Sequence, residues 1–151
     1  MVNLRPVAFV TAVFTVACFV LSGLTVFAQP DVSASCAALM VAETGELIYG
    51  KNEHDRRSMA STTKIMPSLL AIEALTPQRK ITVSADMLNI EGPSMGLLPG
   101  DTVTLEGLVY GMLLQSGNDA ANVTAITLGG NVENFVSMMN KRAGEIGMND
   151  T

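Results

Sequence analysis

A chain of 151 residues with a net charge of −5 and no Trp is long enough for one domain but carries no basic footprint for a nucleic-acid backbone. Only 5% of its residues are aromatic, too few rings for a sugar-stacking platform. Two cysteines (Cys18 and Cys36) and one histidine (His54) make no cluster with metal-ligand spacing, so neither a metal nor an organic cofactor is expected.

The first thirty residues are not ordinary globular sequence. Arg5 is followed by a charge-free stretch from Pro6 to Pro30, mostly apolar between Val7 and Val26, and Val26-Phe27-Ala28 sets small residues where a signal peptidase reads them. Residues 1–28 therefore read as a secretory signal peptide cleaved after Ala28. The apolar run is also long enough to span a bilayer, so an uncleaved anchor is the alternative. Either way the remainder is exported across the membrane. Cutting at Ala28 removes one Arg and no acid, leaving a net charge of −6. Cys36 is then the only mature thiol, which rules out an internal disulfide; it reads as a small buried residue entering a strand.

Ala37 to Val41 is apolar and predicts a buried strand. Glu43-Thr44-Gly45 is a turn and Glu46 to Tyr49 alternates, which makes a β-hairpin. Lys51 to Ser58 is a charged connection holding His54, expected to be exposed. Helical patterning starts at Thr62, with Ile65, Leu69, Ile72 and Leu75 on one face and Pro67 inside, where it predicts a kink. Ile81 to Val83 fits a short strand and Asn89 to Gly100 a loop rich in breakers. Thr102-Val103 is extended, and Thr104 caps a helix carrying Leu105, Leu108, Val109, Met112 and Leu113. Ser116-Gly117-Asn118 interrupts the pattern, and another helix runs from about Asp119 to Leu128. Gly129-Gly130 stops that helix, and Asn131 caps a last one carrying Val132, Phe135, Val136, Met139 and Ile146. A lone hairpin does not make a stable sheet, and no strands are read that would complete its exposed edges, so residues 29–151 are expected to be the N-terminal part of a longer catalytic domain.

Two short motifs carry chemistry. Ser61 and Lys64 stand three residues apart, a spacing that puts both side chains on one helical face. A serine hydroxyl is a poor nucleophile until a base takes its proton. A lysine serves as that base where its surroundings lower its pKa from ~10.4 toward ~7–8. On its own S-x-x-K is common, expected by accident in roughly half of chains of this length from average usage. The second motif, Ser116-Gly117-Asn118, lies 55 residues after Ser61. It can aim Ser116 and Asn118 into a cleft, or serve only as a helix end with Gly117 left-handed and Asn118 capping the next helix.

The pair resembles the penicillin-binding protein and serine β-lactamase superfamily, for which S-x-x-K, S-D-N and K-T-G are the known signature. The chain is similar in particular to the low-molecular-mass D-alanyl-D-alanine carboxypeptidases. Glu43-Thr44-Gly45, the run from Ala60 to Met66, Met95-Gly96-Leu97, Pro99-Gly100-Asp101, the run from Tyr110 to Ala121, Phe135, Met139-Asn140 and Gly147-Met148 match in order. The resemblance implies the α/β acyl-serine-transferase fold of the β-lactamase and transpeptidase group. Here that fold would be truncated to its first β-hairpin and most of its helical subdomain.

The same resemblance implies roles. Ser61 is the acylated nucleophile and Lys64 its base; Ser116 relays a proton toward the leaving group; Asn118 bonds the peptide-like part of the substrate. The implied partners are a peptidoglycan stem peptide ending in D-Ala-D-Ala and the β-lactams that mimic it, at a cell-wall-facing, extracytoplasmic location. Membrane association through a C-terminal segment is left open. Two departures stand out. The K-T-G motif is absent from these 151 residues, so the chain by itself is expected to be inactive. Pro67 lies one turn beyond Lys64, where a kink would shift the amine. A β-lactamase, an endopeptidase of the same superfamily and a stem-peptide-binding pseudoenzyme remain the alternatives.

Overall fold

The computed structural model describes residues 30–74 and 76–149; residues 1–28, expected above to be a signal peptide, and Leu75 lie outside them. The chain divides into two compact units, Met1–Arg57 and Ser58–Thr151.

In the first unit, β1 (Ala37–Met40) and β2 (Leu47–Lys51) form the expected antiparallel hairpin, Ala37 facing Lys51 and Leu39 facing Tyr49. Gly45 takes the left-handed turn position (φ +72°) that a side chain disfavours. Its N–H donates to the Val41 carbonyl, closing the loop. Lys51 Nζ donates to the Val32 carbonyl at 2.6 Å and Asn52 Nδ2 to that of Ser35 at 2.9 Å, tying the lead-in segment to the hairpin. The expectation of a buried strand fails. Leu39 and Met40 are more than half exposed, because a two-stranded ribbon shields little of either face. Cys36 is half-buried just ahead of β1, and the His54 side chain is 94% exposed beside Glu53.

The second unit holds the core. Ala60–Lys64 is a 3-10 turn that runs into α1 (Ile65–Glu73). Then come β3 (Lys80–Thr82), a second 3-10 turn at Ala85–Leu88, β4 (Thr102–Thr104), α2 (Leu105–Leu114), α3 (Asn118–Gly129) and α4 (Val132–Glu145). Thr104 caps α2 by accepting from the Gly107 N–H at 3.0 Å, and Asn131 caps α4 through the Asn134 N–H at 2.8 Å, both as expected. Gly130 ends α3 in the left-handed conformation.

Three expectations need correction here. β3 and β4 pair antiparallel, Ile81 opposite Val103, so a second ribbon exists where none was anticipated; about twenty residues separate the partners, and no tight-turn signal joins them. The buried face of α1 is Pro67, Ser68 and Ala71, while Ile65 and Ile72 are 60% and 61% exposed. The small face meets α2, where Ser68 Oγ lies against Met112 Sδ. Pro67 breaks no helical bond. It stands in the first turn of α1, where backbone N–H groups have no intrahelical partner.

The core gathers Ala71, Ile81, Val83, Leu105, Leu108, Val109, Met112, Ala120 and Val123. Leu113 belongs to the outside of α2, at 52% exposure, a position that periodicity alone placed inside. Leu108 is fully buried. Leu108→Ala is expected to cost about 2–5 kcal/mol through lost transfer energy and the cavity left behind, read as a lower denaturant midpoint at unchanged slope. The Arg142 guanidinium reaches back from α4 to the Glu73 carboxylate of α1 through contacts of 2.6 and 2.9 Å, pinning the last helix to the one that follows Lys64.

Candidate active site

Ser61 and Lys64 sit on the 3-10 turn, where side chains three residues apart eclipse one another, so both project from the same edge. Ala60, immediately before Ser61, has φ +46°, a conformation uncommon for a residue with a Cβ. Across from them, α2 ends at Leu114 and α3 begins at Asn118. In the bend between, Ser116 has φ +56° and Gly117 φ −61°. This reverses the helix-end expectation, since the left-handed residue is Ser116 and not Gly117. Gly117 is small for a different reason. A Cβ there would stand 2.8 Å from Asp119 Oδ1 and 3.1 Å from the Met95 backbone nitrogen. Strained backbone of this kind costs of order 1–3 kcal/mol and persists where the surroundings over-determine it.

The two motifs meet. Ser116 Oγ donates to Ser61 Oγ at 2.6 Å, and Lys64 Nζ donates to Asn118 Oδ1 at 2.8 Å. The spacing argument expected the amine to reach the Ser61 hydroxyl. Instead, the bend supplies a partner to each: its serine to Ser61 and its asparagine to Lys64. Ser61 is exposed and Ser116, Lys64 and Asn118 are half-buried, so the hydroxyl pair is open to an incoming molecule. An open pocket of about 350 Å³ borders the Lys64–Asn118 pair, with Pro67, Ala121, Phe135 and Val136 among its apolar lining.

Asn118 is held from a third direction. Its backbone N–H donates to the Pro93 carbonyl at 2.7 Å and its Nδ2 to the Glu91 carbonyl at 2.6 Å. An asparagine amide offers two N–H donors and two acceptor lone pairs. With Lys64 and Glu91 engaged, one donor and one acceptor remain. Gly92 lies under this amide with φ +100°, and a Cβ there would come 2.5 Å from Asn118 Nδ2.

Sequence reasoning missed Asp119. It is 4% exposed and its carboxylate gathers donors from the loop before β4. Ser94 Oγ donates to Oδ2 at 2.6 Å and the Met95 N–H to Oδ1 at 2.9 Å, while the Gly96 and Leu97 N–H groups reach Oδ2 at 3.1 and 3.0 Å. The Ala120 N–H adds a fifth bond at 2.9 Å. Burial pushes this carboxyl up, but the bonds from Ser94, Met95, Leu97 and Ala120 outweigh it and hold it below the ordinary 3.8, so it is a carboxylate at neutral pH. Read along the chain, Asp119 passes for an acidic residue in the first turn of a helix, where the dipole favours it. The one available signal was the facing loop, whose glycines leave backbone N–H groups in need of an acceptor. Among the described residues, no three His, Cys, Asp or Glu side chains lie close enough together to hold a metal ion.

A strained serine-bearing bend thus faces a Ser/Lys turn across one edge of the second unit. The family model described as D-alanyl-D-alanine carboxypeptidase matches residues 24–151, and the chain belongs to that family. Among curated relatives, D-alanyl-D-alanine carboxypeptidase DacF of Bacillus subtilis is 37% identical over 123 residues, covering 78% of this chain and 32% of the relative. The crystal structure of D-alanyl-D-alanine carboxypeptidase DacD from Francisella tularensis superposes with a TM-score of 0.75 at 35% identity, covering 82% of this chain and 31% of that one. Penicillin binding protein 6B from Escherichia coli gives 0.76 at 32% identity, covering 84% and 43%. The fold is thus the α/β fold of the penicillin-binding peptidases, and the chain spans about a third to a half of the length of the curated relatives it matches.

Proposed function

We propose that the protein carrying this chain is a serine-type D-Ala-D-Ala carboxypeptidase acting on peptidoglycan stem peptides. Ser61 Oγ attacks the carbonyl carbon of the penultimate D-alanine while Lys64 takes its proton. The Ser61 backbone N–H is one donor to the developing oxyanion; losing such a donor typically costs ~100–1,000-fold in rate. The C–N bond then breaks, the terminal D-alanine leaves with a proton relayed through Ser116, and water hydrolyses the Ser61 ester. Asn118 uses its remaining donor and acceptor to hold the peptide backbone of the substrate. A penicillin follows the same first step and stays attached to Ser61. The charge-free apolar run before Ala28 supports export to the cell-wall side of the membrane.

One observation carries this reading: the 2.6 Å contact between the Ser116 and Ser61 hydroxyls, set beside the Lys64–Asn118 bond. It brings two hydroxyls, an amine and an amide from two separate segments to one edge, which supports the roles given to them here. The test is D-alanine release from a synthetic peptide ending in Lys-D-Ala-D-Ala, using protein expressed from the complete reading frame. Release that stops on addition of penicillin is the expected result. Rapid turnover of penicillin without D-alanine release would indicate a β-lactamase, and binding of the peptide without release a pseudoenzyme; either outcome overturns the proposal.

A further inference from the structure

Asn118 must present its amide in one orientation for the proposed site to work, and no group of α3 bonds that amide directly. Its side chain is steered by two groups outside the helix, Lys64 and the Glu91 carbonyl. The second belongs to an exposed loop, Glu91 to Leu97, with no secondary structure of its own beyond a bend. Such a segment is ordinarily a mobile one. Here it is anchored at its far end: Ser94, Met95, Gly96 and Leu97 all point donors at one buried carboxylate. That carboxylate belongs to the residue directly after Asn118.

We infer that Asp119 is a positioning residue for the acylation step, clamping the Glu91–Leu97 loop so that its carbonyls lock the Asn118 amide toward Lys64. This rests on the carboxypeptidase reading above. The clamp is a closed circuit. Asp119 holds the loop, the loop holds Asn118 through the Pro93 and Glu91 carbonyls at 2.7 and 2.6 Å, and Asn118 holds Lys64. Gly92 and Gly117 keep the circuit tight, because a Cβ at either would press on Asn118 Nδ2 or on Asp119 Oδ1.

An asparagine cannot replace this aspartate. Both carboxylate oxygens face backbone N–H groups, Met95 and Ala120 on one and Gly96 and Leu97 on the other. Whichever oxygen becomes NH2 then sets donor against donor, and the loop must move. Displacement of a catalytic group by about 1 Å can cost ~100-fold in rate.

The test compares Asp119→Asn, Ser94→Ala and unmodified protein, each expressed from the complete reading frame and reacted with a fluorescent penicillin. Two quantities are read: the acylation rate constant at saturating probe and the fraction of molecules finally labelled. Asp119→Asn is expected to be labelled to full stoichiometry about 100-fold more slowly. Ser94→Ala, which removes one of five contacts, is expected to slow the same constant by about threefold to tenfold. A residue needed only for folding would lower the labelled fraction and leave the rate of the folded molecules unchanged; that result overturns the inference. If Asp119→Asn does not fold, Ser94→Ala decides alone, an unchanged rate constant counting against the clamp. Failure of the unmodified protein to be labelled would remove the carboxypeptidase reading itself and the clamp with it, an outcome distinct from wild-type labelling with unaffected variants.

Discussion

Ser61→Ala is expected to lose covalent labelling by a fluorescent penicillin altogether. In the proposed mechanism the Ser61 hydroxyl is the group that forms the ester. Removing a nucleophile leaves binding and electrostatic effects but no acyl-enzyme, and in other serine hydrolases such a change lowers turnover by ~10⁶-fold. The substitution is structurally mild. Ser61 is exposed, and its side chain contributes one hydrogen bond, accepted from Ser116, so the folded state should tolerate Ala within about 0.5 kcal/mol. Thermal unfolding therefore serves as the control, and loss of label at an unchanged transition is the expected pair of results. Equal labelling of the variant and the parent would remove Ser61 from its proposed role.

The next largest effect is expected at Lys64. As the base for Ser61 its removal should slow acylation by ~100–10,000-fold, the range that positioned acid–base groups contribute. Lys64→Ala alone does not separate base catalysis from charge or from the bond to Asn118 Oδ1 at 2.8 Å. Lys64→Arg does. A guanidinium keeps the positive charge and the donor but is not deprotonated in proteins. If the amine accepts the Ser61 proton, Arg should be about as slow as Ala. If it only orients Asn118 and attracts an anionic substrate, Arg should recover much of the rate. Stopped-flow acylation of the three proteins separates these outcomes, and recovery by Arg would reassign the proton acceptor.

Much of the helical architecture was legible because each helix carries its own boundary signals. Thr104 and Asn131 read as caps from the chain and act as caps in the structure, and Gly129-Gly130 ends α3 where expected. The parts that were not legible depend on what lies across from them. The pairing of β3 with β4 joins strands about twenty residues apart, which no local pattern announces. The buried face of α1 was misassigned because Ile65 and Ile72 are more apolar than Ser68, yet Ser68 and Ala71 are the residues small enough to let α1 approach α2. The hairpin reads as buried from composition, but burial requires a covering layer, and the strand sequence carries no information on whether one is present.

The site divides in the same way. Ser61, Lys64, Ser116 and Asn118 stand out because a hydroxyl–amine pair and a polar bend between apolar helices are unusual in sequence. Their pairing was only half readable: helical spacing brings Ser61 near Lys64, and only the three-dimensional course of the chain inserts Ser116 and Asn118 as their partners. Asp119 was invisible as a functional residue. Four of its five donors come from a loop more than twenty residues earlier, and its own position explains it fully as a helix-start acid. The left-handed conformation of Ser116 was hidden for a related reason. Sequence preference assigns that role to the adjacent Gly117, whereas packing against Met95 and Asp119 requires the glycine where it is and leaves the strained angle to the serine.

In the proposed reaction a single hydroxyl, on the 3-10 turn ahead of α1, becomes acylated. Peptide mass spectrometry of the protein from its complete reading frame, after brief treatment with penicillin, tests it most directly. One penicilloyl adduct, on the peptide that contains Ser61 and at that residue, is the predicted result. An adduct on Ser116 or any other side chain, or a folded protein that acquires none, would contradict it.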